Sequence, residues 1–502
     1  MAKYLTFDVG TTAIKTCVFD ENLQLLFKRS DEYNLITEGD LVELRPETYW
    51  ETMVQAVGRA GEMLQLSDVR AICLTTQGET MIPIDASGKP LSNAVVWLDQ
   101  RAKAQGDKIN RVLDAMGEKA LFRTTGLPEM NGYTPLAKYL WFKEEQPEVY
   151  ERTHKLLLLE DYLIYLLTGK TVSEKSLLTS TGWFDIRRDC YWTELLAALG
   201  LSEENLPEPL ECGMVVSALT EQAAAALGLP RDTVVVTGAM DQIAAAIGGG
   251  GLRENVVTAT VGTAMVMTSV VPEENAFSDD AMTVYRGFKK GQYVLLPFTN
   301  TAGVVFKWLK DTVFEEFARD CKVSGKDVYT ELCALAADVP AGANGVTLLP
   351  YFAGSTRPRN YPDAKGVFFG LQIGSDRKVL VRATLESIGN MIRENLDMLR
   401  SLGARVETVQ FFGGGSKNPL WNQIIADISQ VTLVKPEEEE CGSLGAAILA
   451  ARGTGAAQSI ESAQSCNPAR VTVTPDPAMK QVYDEAYDRY QRLFDKAGEL
   501  FS

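Results

Sequence analysis

The sequence predicts an α/β fold arranged as two similar halves. Stretches of β-type residues alternate with helical stretches along the chain, the pattern of α/β rather than all-α or all-β proteins. A strand, a Gly-Thr turn and a second strand open the chain, and the same theme returns near its middle. The 502 residues are 46% hydrophobic and 23% charged, ordinary for a globular protein with a full core. At about 150 residues per domain the length suggests roughly two to four domains.

Tyr4–Val9 is β-rich, Gly10-Thr11-Thr12 is a turn, Thr16–Asp20 is a second strand and Leu23–Lys28 a third. Pro46 opens a helix to about Leu66, with Glu47 and Glu51 near its start. Val69–Thr75 is a strand, and Met81–Asp85 and Ala94–Leu98 read as two more; helical segments dominate from Ala102 to Gly228. Thr233–Gly238 is a buried-type strand and Met240–Ile247 a short helix. Gly248-Gly249-Gly250-Gly251 then makes a poor helix and a poor strand, so a flexible junction and a domain boundary are expected there. Val256–Val261, Gly262-Thr263 and Ala264–Val270 repeat the opening theme. The shared stretch is short, so duplication stands beside chance similarity. Val406–Phe412 is a strand ending in Gly413-Gly414-Gly415, Asn418–Gln430 is a helix, and Glu437–Glu440 reads as a solvated charged turn.

Composition excludes several functions. Lysine plus arginine is 49 against 66 aspartate plus glutamate, a formal charge of −17. Nucleic acids and anionic membranes select basic surfaces, so neither is an expected partner. No secretory signal and no apolar run of about 18 residues is visible. The eight cysteines are scattered without a C-x-x-C, which fits reduced thiols in the cytoplasm. The single histidine, His154, has no acidic or nucleophilic motif beside it. A multi-histidine metal site is excluded, and acid–base chemistry must rest mainly on carboxylates.

Four segments could carry chemistry. Asp8-Val9-Gly10-Thr11-Thr12-Ala13-Ile14-Lys15 lies between two strands. A tight glycine turn offers N–H groups to phosphate oxygens, with hydroxyls and Lys15 adding donors and charge; an ordinary hairpin is the alternative. Asp8, at a strand end, could hold Mg²⁺ directly or through water. The turn Gly262-Thr263 would make a second half of a polyphosphate clamp. Asp241 follows a strand and opens a helix, so it is either a charge at a helix N-terminus or a carboxylate where α/β folds place their sites. Gly413-Gly414-Gly415-Ser416-Lys417-Asn418 also joins strand to helix, as a plain turn or as a flat seat for a nucleotide.

Taken together, the chain resembles the FGGY carbohydrate kinase family, within the actin-like ATPases. Asp8–Lys15 is similar to the first phosphate motif and Gly262-Thr263 to the second; Phe412–Trp421 resembles the adenosine segment. Tyr133–Phe142 resembles the first family signature. Gly366–Leu371 with Ala383–Glu386 resembles the second, where Val379 stands in place of a usual polar residue. The resemblance implies two ribonuclease-H-like domains flanking a deep cleft, residues 1–247 binding sugar and carrying the base and residues 248–502 binding nucleotide. It implies ATP and Mg²⁺ as cofactors, Asp241 as catalytic base and Asp8 as catalytic and metal-holding residue. Thr11, Thr12, Lys15, Gly262, Thr263, Gly303, Lys307, Gly414, Gly415 and Asn418 fall on nucleotide positions, with Lys307 in place of the glutamine common in glycerol kinases. Phosphoryl transfer to an alcohol needs positioning, charge neutralisation and a base for the hydroxyl proton, which these residues supply without histidine. The glycine run after Asp241 fits a hinge that closes the cleft and excludes water.

The substrate expected is a small open-chain sugar. Leu349–Pro358 resembles xylulokinases and gluconate kinases more than glycerol kinases. The loop Gln77-Gly78-Glu79-Thr80 instead resembles the Gln-Arg-Glu-Thr of glycerol kinases, with Gly78 in place of arginine. Gln77, Gly78, Glu79, Trp97, Tyr133 and Gln242 are the substrate-binding candidates. Losing the arginine opens space, so a ketopentose such as xylulose ranks above four- and five-carbon polyols, and those above glycerol. A rival of another class is a non-metabolic actin-like ATPase; it would need neither Glu79, Trp97 and Tyr133 nor a base at Asp241. Oligomeric state stays open, a homodimer included.

Overall fold

A computed structural model describes residues 2–278, 282–355 and 358–501. Thr356 and Arg357, within the segment that resembles xylulokinases, lie outside the described residues. The chain divides into two compact units. Unit 1 is Met1–Gly250 with Pro272–Val294 and Glu440–Asn467, and unit 2 is Gly251–Val271, Leu295–Glu439 and Pro468–Ser502.

Unit 1 is built on a six-stranded sheet. Lys3–Val9, Ala13–Phe19 and Leu25–Glu32 run antiparallel to one another in chain order. Val69–Thr76 pairs parallel with Lys3–Val9, Val234–Met240 parallel with Val69–Thr76, and Val215–Ala218 closes the edge antiparallel. The central strands are buried on both faces, and their β-rich runs such as Val69–Thr76 reflect that. Leu5, Phe7 and Ile72 pack in one core with Tyr49, Met53 and Val57 from the Pro46–Met63 helix. That helix starts where Pro46 fixes φ at the first turn, and its apolar residues recur at helical spacing. Burying one such side chain contributes about 1.5–3 kcal/mol.

Unit 2 repeats the plan. Met265–Val271 pairs antiparallel with Val256–Val261, which pairs parallel with Thr408–Phe412. Thr432–Pro436 continues in parallel and Ala469–Val473 closes the edge antiparallel. Both units thus carry a hairpin, two parallel strands and an antiparallel edge in the same order, which is the duplication that the two Gly-Thr turns hinted at.

A single cut between residues 247 and 248 does not describe the units, because two later segments return to unit 1. The physical reason for one of them is the Cys441–Gly453 helix, which is buried along almost its whole length. It lies against the Asp241–Gly248 helix so closely that a Cβ on Gly445 would stand 1.9 Å from Ala244 O, and one on Gly248 2.0 Å from Cys441 O. Asn467 and Gln464 side chains add hydrogen bonds to Gly248 O and Ile247 O, at 2.9 and 3.0 Å. The first glycine of the 248–251 run is therefore required by a close helix approach rather than by a loose joint. Of the four, only Gly250 has a positive φ, 75°. Among the described residues no helix is long and apolar enough to cross a membrane.

Candidate active site

In unit 1 the Gly10–Thr12 turn is pinned at both ends. Gly10 N donates to Ala13 O at 3.0 Å, Tyr33 N to Thr12 O at 2.9 Å, and the Tyr33 hydroxyl to Gly10 O. Asp8 and Lys15 face each other across the hairpin, with Lys15 Nζ 3.9 Å from Asp8 Oδ2. Lys15 also sits 2.5 Å from Glu440 Oε2, and Lys28 2.7 Å from Glu440 Oε1. Burial pushes the Asp8 carboxyl above the usual carboxylate range; Lys15 opposes the shift and Glu440 adds to it. Burial alone would lower Lys15, yet Asp8 and Glu440 hold it above its ordinary value. Glu440 is thus no solvated turn residue. It precedes the Cys441–Gly453 helix, and the missing side chain of Gly442 leaves room for Asp8, whose Oδ2 lies 2.9 Å from where a Cβ would be.

The substrate-loop candidates join this hairpin. Gln77 N donates to Val9 O at 2.9 Å, while the Gln77 side chain is buried beside the Tyr49 hydroxyl. Glu79 adopts a left-handed φ of 66°, a strained state for a residue with a Cβ that marks functional sites. Trp97 ties loop to hairpin, its indole Nε1 donating to Thr11 Oγ1 at 2.9 Å and its backbone N to Thr80 Oγ1 at 3.2 Å. Beneath it Lys138, fully buried, donates to Val96 O at 3.0 Å and Trp97 O at 3.4 Å. Burial pushes Glu79 up, opposed by Lys138 and by the Ser180 hydroxyl. The same burial pushes Lys138 down to about 8, opposed by Glu79 and Asp99. The Tyr133 backbone N is held by Asn131 Oδ1 at 3.0 Å.

Asp241 is the first residue of the Asp241–Gly248 helix, directly after the Val234–Met240 strand. Its Oδ1 accepts from Gln242 N at 2.7 Å. Burial pushes its carboxyl up to about 7; Asp8 and, more weakly, Glu79 add to the push, while the Gln242 backbone and side chain pull against it. Two unforeseen residues belong here. Lys138 sits inside a signature read for resemblance rather than for charge. Tyr285 comes from the returning segment, and its hydroxyl is raised by burial and by Glu79 and Asp241. No local motif announces Tyr285, because only the chain's excursion brings it to unit 1.

In unit 2 a cleft of about 400 Å³ is lined by Gly262, Thr263, Gly303, Lys307, Gly414, Gly415 and Asn418, so the structure brings together every candidate from that unit. Close backbone packing builds it: Gly303 N donates to Gly262 O at 2.9 Å, where a Cβ on Gly303 would stand 2.3 Å from the same oxygen. Asn418 caps the Pro419–Ser429 helix by accepting from Trp421 N at 3.2 Å. Lys307 Nζ is paired with Asp311 at 2.5 Å on the exposed side of its helix. Sequence reading missed the opposite wall, which Asp327, Tyr329, Thr330 and Cys333 supply. The aromatic rings of Phe306 and Tyr329 meet there edge to face, 5.3 Å apart, offering a flat apolar lining.

Comparison with known proteins agrees with this architecture. Residues 3–248 match the N-terminal domain, and residues 257–454 the C-terminal domain, of the FGGY family of carbohydrate kinases. The chain is 28% identical to the xylulose kinase of Bacillus subtilis over 504 residues, covering 100% of this chain and 98% of that one. It is 26% identical to the gluconokinase of Bacillus licheniformis over 459 residues, 91% and 88% of the two chains. The crystal structure of xylulose kinase from Rhodospirillum rubrum superposes with a TM-score of 0.88 at 25% identity, covering 99% of each chain. Plasmodium falciparum glycerol kinase with ADP shares the fold at a TM-score of 0.83 and 23% identity, over 98% of each chain. The chain belongs to the FGGY family of carbohydrate kinases, phosphotransferases with an alcohol group as acceptor.

Proposed function

We propose that the chain transfers a phosphoryl group from ATP to a hydroxyl of a neutral open-chain sugar, a ketopentose such as xylulose, with Asp241 as general base. The observation that carries this reading is the Asp241 carboxyl, pushed up to about 7 by burial beside Asp8 and Glu79. A base near the working pH couples correct protonation to useful driving force. Asp241 takes the hydroxyl proton; Glu79 accepts from a second hydroxyl; Trp97 and Tyr285 cover the C–H face. Lys15 supplies positive charge at the transferred phosphoryl, and the Thr263 hydroxyl donates to the polyphosphate in the unit 2 cleft.

Asp8 suits Mg²⁺. Its carboxylate is partly exposed, 23%, and the cation paired with it, Lys15, lies beyond hydrogen-bond distance at 3.9 Å. Mg²⁺ usually keeps several waters and takes one or two carboxylates plus phosphate oxygens, so one open carboxylate fits. The metal, when bound, neutralises charge on the phosphates; Asp8 would hold it directly or through water.

Charge separates the sugar classes. The carboxyl groups that bear on Asp241 in unit 1 are Asp8 and Glu79, with the Tyr285 hydroxyl beside them. Of the cations, Lys15 is paired with Glu440, and the buried Lys138 is spent on Glu79 and two backbone carbonyls. An aldonate carboxylate would meet like charge, so gluconate is disfavoured although gluconokinases are among the relatives. A second reading, a polyol kinase for erythritol or glycerol, is favoured by the Gln77-Gly78-Glu79-Thr80 loop. ADP release measured with xylulose, erythritol, glycerol and gluconate decides between them. Xylulose is expected to give the highest kcat/KM and gluconate the lowest; a tenfold preference for glycerol or gluconate over xylulose overturns the ketopentose reading.

A further inference from the structure

The strand that delivers Asp241 carries a bulge. Val236 pairs with Cys73 and Ala239 with Thr75, so three steps on one strand match two on the other. Such an insertion disrupts the ladder locally and re-aims the residues beyond it. Side chains hold the displaced backbone. Gly238 N donates to Glu160 Oε1 at 2.9 Å, Thr75 Oγ1 to Ala239 O at 2.8 Å, and Met240 N to Ser176 Oγ at 3.1 Å.

Ser176 leads to a carboxylate outside the site. Its hydroxyl donates to Glu174 Oε2 at 2.7 Å. Glu174 is fully buried and also accepts from Ser176 N, from Leu177 N at 3.0 Å and from Cys212 Sγ at 2.8 Å. Leu177 starts the single turn Leu177–Thr181. On that turn Thr179 Oγ1 accepts from Arg286 N at 3.2 Å, next to Tyr285, and the Ser180 hydroxyl lies against Glu79. One carboxylate is therefore linked through two successive hydrogen bonds to the backbone of Met240, the residue before Asp241, and through the turn that it holds to Arg286 N, the neighbour of Tyr285, and to the Glu79 side chain.

We propose that Glu174 is the positioning residue of the sugar-binding half of the site, fixing Asp241 through Ser176 and setting Glu79 and Tyr285 through the Leu177–Thr181 turn. This rests on Asp241 being the base. A carboxylate suits the hub because four donors converge on it, and an amide would turn its own N–H₂ toward some of them. Ser176 must be a hydroxyl, since it donates to Glu174 and accepts from Met240 in the same place.

Three variants of the full chain test it: Ser176→Ala, Ser176→Thr and Glu174→Gln. Ser176→Ala is expected to lower kcat tenfold or more on the parent's best sugar while the KM for ATP stays within twofold. Ser176→Thr keeps the hydroxyl and is expected to recover at least threefold of that loss. Amide hydrogen exchange at Met240 is expected to rise at least tenfold in Ser176→Ala, with Val235 and Val236 unchanged. Glu174→Gln is expected to lose more turnover than Ser176→Ala, and Ser176→Ala carries the test where Glu174→Gln does not fold. Parent-like kcat in Ser176→Ala, an equal rise in the KM for ATP, or unchanged Met240 exchange overturns the proposal. A parent inert on every sugar overturns the proposed function instead, and the Met240 exchange then still decides whether Ser176 holds that backbone.

Discussion

Asp241 combines two demands that pull apart, a buried site for a base and the cost of a buried charge. Asp241→Asn is expected to lower kcat by roughly 10²–10⁴, the usual worth of a general base, with the KM for ATP within twofold; ADP release at saturating sugar measures it. The same substitution is expected to stabilise the protein. A carboxyl whose folded pKa is raised from 3.8 to about 7 binds more protons folded than unfolded, so its contribution is fully present below the unfolded pKa and lost as pH rises through about 7. Asparagine keeps the Oδ1 acceptor for Gln242 N and sheds the charge. In Mg²⁺-free buffer at pH 8 the gain is expected to be on the order of 1–2 kcal/mol, after discounting for partial exposure, and to vanish near pH 4; thermal unfolding at the two pH values reads it. Gly78 is the other residue that separates readings. A Cβ there would stand 3.4 Å from Ser180 Oγ and 3.8 Å from Met240 Sδ, ordinary contacts, so the backbone at this position accepts the Cβ of Gly78→Arg. It is expected to shift kcat/KM toward glycerol over xylulose by tenfold or more, measured in competition.

Among the elements, strands and helices were legible because their signals are local. Pro46 starts a helix, and the β-rich runs Val69–Thr76 and Val256–Val261 become sheet centres. What the sequence hid is which partner an element chooses. The Cys441–Gly453 helix is small-residue rich all round, and nothing within it says that it packs on Asp241–Gly248. The same distance along the chain hid Glu440 from Lys15 and Tyr285 from Glu79, whereas Asp8, Glu79 and Asp241 sit in motifs of their own. The helix contact makes its own prediction. Gly248→Ala would place a Cβ 2.0 Å from Cys441 O, a backbone atom, so the helices must separate. Overpacking of this kind costs about 1–3 kcal/mol, expected as a drop of several degrees in Tm. Gly58→Ala, inside the Pro46–Met63 helix, places its Cβ with nothing within 4 Å and serves as the control.

At the scale of the whole molecule, the chain repeats one sheet plan twice and gives the copies different work. The repeat was half-legible, since only two Gly-Thr turns advertised it and the sequences between them have diverged. The division of work is what a single isosteric change can test. Thr263 lies in the unit 2 cleft with Gly262, Gly303, Gly414 and Asn418, while Glu79, Trp97 and Asp241 all lie in unit 1. Valine matches threonine in shape but has no hydroxyl, and a hydrogen bond to a charged oxygen contributes about 1.5–3 kcal/mol. If the cleft holds nucleotide, Thr263→Val raises the KM for ATP by roughly ten- to hundredfold and leaves the KM for sugar within twofold. If it instead raises the sugar KM and spares ATP, the assignment of the two copies is reversed. If both KM values rise together, Thr263 bears on the ground-state binding of both ligands, and the two units do not divide them.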